Sequence, residues 1–293
     1  MREHNRPSSL AAATVLRTAM PAALLVLGCV GLFALMACTH SQSAPTFSQI
    51  QQRGQLWAGV HYNSHPFAYL SAEGRPQGFD IDLLKEITRR LLGNAEAVRF
   101  HQVFASTRLM ALNTGSLDLV AATLSITPER ATLMDFSEPY FVAQQIVIVP
   151  KASPAKHLSD LRHKTILLVA GTTSEATIRA RLPQARYRTF PTLSEALSAF
   201  NAKQGEALSS DDALLHGLLS ERCDVRRLPE TLSQELYGLA FRKSGHPHQS
   251  DSLKQSVNQA LQAMRADGTL KRLTVRWKLE SQPLKSCALP QAP

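Results

Sequence analysis

The sequence predicts an α/β protein in which one kind of doubly wound unit is built twice. Short apolar runs that suit buried parallel strands alternate with segments of helical periodicity. Leu56–Val60, residues 117–124 and residues 165–170 are such runs, and each ends in polar or hydroxyl side chains. The two halves have no sequence repeat that aligns, so they share a pattern and not a motif.

The first unit occupies residues 47–136. It opens with a helix over residues 47–55 and the buried strand Leu56–Val60. Asp80 can cap a second helix. Strands over residues 98–103 and 117–124 enclose a third helix.

The second unit follows the apolar run 145–149. Strands are predicted at residues 165–170, Arg186–Phe190 and 206–210, each followed by a helix. Residues 192–195 (TLSE) have the sequence of a capping box. A further strand at residues 237–243 and helices through Trp277 complete the fold.

The stretch 121–140 is typical of a strand that runs into an anion-binding helix start. Thr127 can be the N-cap, Pro128 suits the first helical position, and Glu129 suits the positive end of the helix dipole. Arg130 opposes that dipole, so its place in the first turn is explained if it holds an anion such as a carboxylate. The alternative is an ordinary surface arginine.

Composition limits the class of protein. The chain has 293 residues, 44% apolar content and a formal net charge of +9. That apolar content is ample for a buried core. The basic residues are spread out, without a basic block or interleaved aromatics, so nucleic-acid binding is not predicted. The charge could favour acidic ligands or an anionic membrane surface.

The N-terminus has the pattern of an export signal. Residues 1–37 carry three arginines before an uncharged, apolar run that ends at Cys38. This junction resembles the lipobox of bacterial lipoproteins, which implies lipidation of Cys38 and a linker over residues 38–47. A retained anchor and cleavage without lipid are the alternatives, and all three place the rest of the chain outside the cytoplasm.

Four cysteines are present, at positions 29, 38, 223 and 287. Cys223 and Cys287 could pair in an exported domain, which would fix the tail of residues 282–293 to the body. No paired-cysteine zinc pattern occurs. His61 and His65 have a spacing that could suggest metal but lack acidic or thiol partners, so neither metal nor cofactor is predicted.

Four segments together resemble the solute-binding proteins of bacterial ABC importers for polar amino acids (family 3). They are residues 78–83 (GFDIDL), residues 111–118 (ALNTGSLD), TPER at 127–130 with DFSEPY at 135–140, and Gly268 with Trp277. The resemblance implies a type II periplasmic-binding-protein fold, with two α/β lobes joined by two crossing strands. Lobe one would be 48–141 plus 244–281, and lobe two 142–243.

The resemblance also implies a ligand site between the lobes. Arg130 matches the clamp for an α-carboxylate, Ser125 and Thr123 match groups beside it, and Thr173 matches a contact from lobe two. Asp211 matches the acceptor of the α-ammonium, and Phe67 lies in the segment that supplies an aromatic wall. From the residues alone, Asp211 and Thr173 could equally be helix caps and Phe67 plain core.

Two positions depart from the pattern of binders of basic amino acids. Ser64 stands where those proteins carry an aromatic, and His61 where they keep an acid. Both departures argue against lysine or arginine as the ligand and leave the side-chain pocket undefined.

The function implied is non-catalytic capture of an amino acid or small carboxylate in the periplasm by a monomer. The lipid on Cys38 would hold the chain at the membrane, and an ABC permease would receive the ligand. One alternative is a dehydratase on prephenate-like acids, which also needs Arg130. The other is a ligand-sensing module for a membrane partner.

Overall fold

The computed structural model describes residues 47–243 and 251–280. The predicted signal segment, Cys38, the residues that follow it up to 46, and the tail from residue 281 lie outside this part of the chain. Within it, no helix has the length and apolar composition needed to cross a membrane.

The first part of the chain supplies most of one sheet and the helices that cover it. In order, its elements are α1 (Phe47–Arg53), β1 (Leu56–Val60), β2 (Asn63–Ser64), β3 (Ala68–Leu70), β4 (Pro76–Gln77), α2 (Phe79–Leu92), β5 (Val98–Gln102), α3 (Arg108–Asn113), β6 (Leu119–Val120), α4 (Pro128–Leu133) and β7 (Met134–Phe136).

The next part supplies a second sheet, and the chain then returns to the first. The elements are β8 (Phe141–Pro150), a 3-10 turn (Leu158–Leu161), β9 (Thr165–Val169), α5 (Thr173–Arg181), β10 (Arg186–Phe190), α6 (Leu193–Asn201), β11 (Ala207–Asp211), α7 (Asp212–Glu221), β12 (Val225–Arg227), β13 (Ser233–Tyr237), β14 (Ala240–Arg242), α8 (Asp251–Ala266) and α9 (Thr269–Arg276).

Each sheet defines a lobe. The first lobe has strand order β5-β1-β6-β14-β7, with β1 parallel to both of its neighbours. The second lobe has order β10-β9-β11-β8-β12, with β13 also paired to β8. In it β9, β10 and β11 run parallel and β8 runs against them. The predicted fold class, two α/β lobes joined by two crossing strands, is confirmed.

Apolar faces of the helices explain why the layers pack. Helix α2 buries Phe79, Ile81, Leu83, Leu84 and Ile87. These side chains join Val257, Leu261 and other residues of α8 in one core of the first lobe. The second lobe has a separate apolar cluster on each face of its sheet. Burial on both faces is what the continuous apolar strands predict.

Two strands are shorter than predicted because the chain bends where the lobes meet. The predicted strand at residues 117–124 pairs only at Leu119–Val120, and Thr123 then takes a left-handed conformation with φ 45°. The predicted strand at residues 237–243 is split into β13 and β14 at Gly238. A Cβ on Gly238 would lie 2.8 Å from Ile126 Cδ1, so a larger residue would not fit there.

The predicted capping role of Asp80 is wrong. The N-cap of α2 is Gly78, and no side chain caps this helix. Asp80 is fully buried inside the first turn and accepts a 3.0 Å hydrogen bond from the Tyr140 hydroxyl. Tyr140 lies 60 residues further along the chain, so no local sequence pattern indicates this bond.

Gly78 provides a test of this packing. Its φ is 134°, and a Cβ there would lie 2.1 Å from the carbonyl oxygen of Phe67. That oxygen accepts from the Asp80 amide at 2.8 Å, so it cannot move aside freely. We expect Gly78→Ala to lower the free energy of unfolding in urea by about 3 kcal/mol or more.

The matched control is Gly74→Ala. Gly74 also has positive φ, 73°, but a Cβ placed on it would have no other atom within 4 Å. Its cost should be about 1 kcal/mol, from backbone strain alone. Equal losses for the two variants would contradict the clash at Gly78.

Candidate ligand-binding cleft

The loops that follow parallel strands of both sheets meet at one cavity. The carboxyl ends of strands in open α/β sheets are where free backbone groups and ligands are found. The residues that line the cavity come from the loops or strand ends after β1, β5, β6, β9, β10 and β11, and from the helices that follow them. They are His61, Asn63, Ser64, Phe104, Ala105, Arg108, Thr123, Ser125, Val169, Thr172, Thr173, Pro191, Thr192, Leu193, Ser210, Asp211 and Leu214.

Arg130 is not among the residues that line this cavity, but it bonds to both lobes beside Ser125, which is. Thr127 is the N-cap of α4, as predicted, and its hydroxyl accepts from the Arg130 amide at 3.2 Å. The guanidinium donates from Nη1 to the carbonyl of Ser125 at 2.9 Å and from Nη2 to the carbonyl of Gly171 at 3.2 Å. Ser125 belongs to the first lobe and Gly171 to the second.

The walls of the cleft touch each other near Arg130. Ser125 Oγ and Thr173 Oγ1 are 3.4 Å apart across the cleft. Gly171 packs so closely that a Cβ on it would lie 2.6 Å from Cα of Ser106. The two lobes are therefore in the approached, closed arrangement.

Thr173 lies at the centre of a hydrogen-bonded group in the second lobe. Thr172, and not Thr173, is the N-cap of α5. The Thr173 hydroxyl accepts from Nε2 of Gln145 at 2.8 Å and donates to Oε2 of Glu235 at 2.8 Å. Ser233 donates to the other oxygen of Glu235 at 2.6 Å. This group fixes the hydroxyl of Thr173 toward the cleft.

Asp211 is buried at the end of β11. One of its oxygens, Oδ2, accepts a hydrogen bond from the hydroxyl of Tyr237. Burial raises the pKa of Asp211 to about 7; the Tyr237 bond opposes this shift, and the charges of Glu235 and Asp212 add to it. A carboxyl with this environment gains most from a cation placed beside it.

A second buried carboxyl lies beneath the cleft. Burial raises the pKa of Asp80 to about 7, and the Tyr140 hydroxyl and the Arg108 charge counter the shift only in part. Its Oδ2 atom is buried without a hydrogen-bond partner. Asp80 is not among the residues that line the cavity, so its effect is on stability.

The left-handed Thr123 shapes the floor. A non-glycine residue in this conformation costs free energy and is retained where the surroundings require it. At this point the carbonyls of Ala122 and Thr123 both accept from Nη1 of Arg108, the second at 3.5 Å. The bend also brings the side chains of Thr123 and Ser125 to the same cavity.

The structure brings five of the six sequence-predicted ligand contacts together. Thr123, Ser125, Thr173 and Asp211 line the cavity, and Arg130, which does not line it, donates a hydrogen bond to the carbonyl of Ser125. Phe67 is elsewhere. It is completely buried in the core of the first lobe, with ring centroids 5.7 Å from Phe79 and 5.6 Å from Tyr237. Phe67 is therefore left out of the contacts proposed below.

Sequence reasoning missed several residues of the cleft. Arg108 was only part of a predicted helix, Tyr237 belonged to a predicted strand whose neighbours were unknown, and Glu235 lay outside every predicted element. Their importance comes from pairing across the fold: β13 lies against β8, which brings Glu235 beside Thr173. The sequence offers one signal for Arg108. It is a cation in the first turn of α3, where it opposes the helix dipole, as Arg130 does in α4.

The two histidines spaced as a possible metal pair have different neighbours. His61 Nδ1 lies 2.9 Å from the carbonyl of Val103, whereas the ring of His65 packs 4.6 Å from that of Tyr69. In residues 47–243 and 251–280, no three histidine, cysteine or acidic side chains are grouped to hold a metal ion.

Cys223 is disulfide-bonded. Cys287 lies outside the described residues, so a bond between these two cysteines stays a prediction. The same holds for lipidation of Cys38.

Comparison with known proteins gives one family. The family of bacterial extracellular solute-binding proteins, family 3, matches residues 56–280. A glutamine-binding protein of Geobacillus stearothermophilus is 37% identical over 205 residues, 69% of this chain and 78% of that protein. The ABC transporter glutamine-binding protein GlnH of Bacillus subtilis is 32% identical over 79% of this chain and 84% of its own length.

A solved structure agrees in fold. The solute receptor for L-cysteine of Neisseria gonorrhoeae superposes with a TM-score of 0.75 and 31% identity. The match covers 80% of this chain and 94% of that receptor.

The raised pKa of Asp80 leads to a stability prediction. In the folded state the Asp80 carboxyl keeps its proton up to about pH 7. In the unfolded state it loses the proton near pH 3.8, the ordinary pKa of an aspartate. The native state therefore binds more protons between these values, and this group makes stability fall as pH rises from about 4 to 7. Asp80→Asn lacks this titrating group and should not lose stability in this way. The free energy of unfolding of the variant minus that of wild type should therefore grow by on the order of 2–4 kcal/mol as the pH rises from about 4 to 7.

Urea unfolding of both proteins at several pH values measures this difference. Asp224→Asn is the control, because Asp224 is exposed, bonds to Arg222 and has a lowered pKa. It should show no such gain. A pH-independent difference between Asp80→Asn and wild type would contradict the assignment.

Proposed function

This chain belongs to the bacterial extracellular solute-binding proteins of family 3, and we propose that it captures an amino acid outside the cytoplasmic membrane for delivery to the permease of an ABC importer. One observation supports this most: a guanidinium and a buried carboxyl, Arg130 and Asp211, come from opposite lobes and attract each other electrostatically. Asp211 lines the cavity, and Arg130 bonds to the backbone of Ser125, which also lines it. That pair complements the two charges of a zwitterion.

The carboxylate of the ligand would bind to Arg130. Both Nη atoms of Arg130 now donate to backbone carbonyls, which are neutral acceptors. A carboxylate is a stronger acceptor for a guanidinium and can take two parallel hydrogen bonds from it. Ser125 and Thr123, beside it on the first lobe, would complete the carboxylate site with hydroxyl or backbone groups.

The ammonium of the ligand would bind to Asp211. Tyr237 occupies Oδ2 of that carboxyl, which leaves Oδ1 as an acceptor. The ligand cation would favour the ionised form of a carboxyl that burial now disfavours. Thr173 would contact the ligand from the same lobe, held in place by Gln145 and Glu235.

Contacts on both lobes explain how the permease would distinguish the ligand-bound protein from the free protein. A ligand held by Arg130 alone leaves the lobes free to separate, whereas one that also reaches Asp211 and Thr173 stabilises only the closed arrangement. This difference in affinity between open and closed states is what shifts the population toward closure.

We propose that the role is non-catalytic. A dehydratase needs a general acid directed at the substrate. Asp211 is the proposed partner of the ligand ammonium, and Glu235 is held by Thr173 and Ser233, so neither acid is assigned to proton transfer. The names of the reported relatives describe binding proteins, which supports the same conclusion.

Attachment to the membrane is a separate proposal. The export signal at residues 1–37 and the cysteine at position 38 favour a lipid-anchored periplasmic monomer. A mass spectrum of the mature N-terminus would identify the lipid, and light scattering would give the oligomeric state.

Removal of Arg130 tests the carboxylate site. Arg130→Ala should weaken binding of L-glutamine, the ligand in the names of two relatives, at least a hundredfold, or about 2.7 kcal/mol. The reason is that a buried carboxylate would lose its cation and two hydrogen bonds. Titration calorimetry with a panel of amino acids, led by glutamine, measures the loss.

Arg89→Ala is the control, because Arg89 is an exposed arginine of the same lobe paired with Glu86. It should bind as wild type does. Both variants should keep the wild-type circular dichroism spectrum. Unchanged affinity in Arg130→Ala would remove Arg130 from the site.

The raised pKa of Asp211 predicts a pH dependence of binding. The ammonium needs the ionised carboxyl, so at pH values below about 7 a proton must leave first. Affinity should therefore fall toward tenfold for each pH unit between 7 and 5. His61, with a pKa lowered to about 4, stays neutral over this range and does not contribute.

Asp211→Asn should bind more weakly than wild type at pH 7.5 and show a flat profile between pH 5 and 7.5. Calorimetry at constant ionic strength gives both curves. A wild-type affinity that does not change with pH would exclude Asp211 as the ammonium partner.

A further inference from the structure

Helix α9 (Thr269–Arg276) presents a cationic face to solvent and shares no residue with the lining of the ligand cavity. On its inner side, Leu270, Leu273 and the following Trp277 pack against the core of the first lobe. Its exposed side chains line one groove, and they are Lys271, Arg272, Val275 and Arg276. Lys278, two residues beyond the helix, is also exposed. We call these four residues and Lys278 the α9 face.

Nearby acids do not balance the charge of the α9 face. Residues 268–280 contain four cations and a single acid. Arg276 lies 3.4 Å from Asp82 of α2, but 68% of its side chain stays exposed. Lys271 and Lys278 have no side-chain hydrogen bond or ion pair within residues 47–243 and 251–280. These two ammonium groups are therefore free to pair with an anion from outside the protein.

Other surface cations of the first lobe differ in this respect, because they have acidic partners. These pairs are Lys85 with Glu96, Arg89 with Glu86, and Arg265 with Glu138. Within the α9 face, Arg272 donates only to neutral oxygens, at 2.7 Å to the Thr269 hydroxyl and at 3.0 Å to the Asp267 carbonyl. The α9 face therefore carries a net positive charge that the paired sites do not.

The connection to the membrane begins on the same lobe. Phe47, the first residue that the structure describes, packs against the same core as Leu270 and Leu273. Nine residue steps separate it from Cys38, and they span at most about 32 Å when fully extended. A lobe of roughly this size has a radius of gyration of about 13 Å. A lipid on Cys38 would keep the first lobe near the bilayer without deciding which of its faces turns toward it.

We propose that the α9 face binds the surface of a bilayer that contains anionic phospholipids. Ammonium and guanidinium groups pair with the phosphates of such a surface, and each cation near it strengthens binding roughly fivefold. Val275, 48% exposed among the cations, is apolar and suits the boundary between headgroups and acyl chains. The contact would set which face of the first lobe turns toward the membrane. It goes beyond the capture of a ligand, because no residue of the cavity takes part.

The first experiment measures sedimentation of the chain with lipid vesicles. The chain used is residues 38–293 with Cys38→Ser, which keeps every residue that the structure describes and cannot be lipidated. We expect at least tenfold tighter binding to phosphatidylcholine vesicles with about one third phosphatidylglycerol than to pure phosphatidylcholine. That difference should disappear when salt is raised from about 0.1 M to about 1 M, because the Debye length falls from about 10 Å to about 3 Å. Equal binding to the two kinds of vesicle, or binding to neither, would overturn the proposal.

The second experiment locates the contact with two double variants in the same chain. Lys271→Gln with Lys278→Gln should weaken binding to the anionic vesicles at least tenfold, since two unpaired cations are lost. Arg186→Gln with Arg188→Gln is the matched control. It removes the same charge from two exposed arginines of β10, in the second lobe, and should bind as the parent chain does. An equal loss in both double variants would mean that only the net charge matters, and would reject the α9 face.

Ligand binding and vesicle binding are independent measurements. The Lys271→Gln, Lys278→Gln variant should keep the parent's circular dichroism spectrum and its affinity for L-glutamine, because neither lysine lines the cavity. A loss of both activities would mean that these lysines support the fold, and would also reject the proposal. If no amino acid binds the parent chain, the proposed function fails and the vesicle result stands. If amino acids bind but anionic vesicles do not, only the role of the α9 face fails.

Discussion

This structure depends on one constraint: charged groups are removed from water where the two sheets face each other. Arg108, Arg130, Asp211 and Glu235 are gathered between the lobes, and none of the four has a charged partner at ion-pair distance among the residues that the structure describes. Buried charges are expensive unless they are paired or fully hydrogen-bonded. The protein meets this requirement partly with carbonyls and hydroxyls, as in the bonds from Arg130 to Ser125 and from Tyr237 to Asp211.

The crossing strands organise these groups as well as connecting the lobes. Strands β8 and β13 lie antiparallel to each other, with Tyr237 opposite Phe141. Tyr237 then reaches Asp211 of the second lobe, while its ring packs against Phe67 in the first. Glu235, two residues earlier, reaches Thr173. Residues of one short strand thus contact both lobes.

The charge arrangement also separates tasks within the cleft. In the proposed complex, Arg130 and Asp211 bind what every amino acid carries, an α-carboxylate and an α-ammonium. Arg108, His61 and Ser64 also line the cavity. Asp80 lies under the floor, where it affects stability and not ligand contact.

The sequence by itself determined the local features, because they depend on neighbours along the chain. The apolar runs gave the parallel strands, and the order Thr127-Pro128-Glu129-Arg130 gave the start of α4 and the place of its arginine. The family resemblance placed Ser125, Thr173 and Asp211 among the predicted ligand contacts. Only the tertiary structure decided where Asp80 and Phe67 lie, that β13 and β14 separate at Gly238, and that Arg108 enters the cleft. Each of these depends on contact between residues far apart in sequence, such as Asp80 with Tyr140, and no periodicity or capping pattern records such contacts.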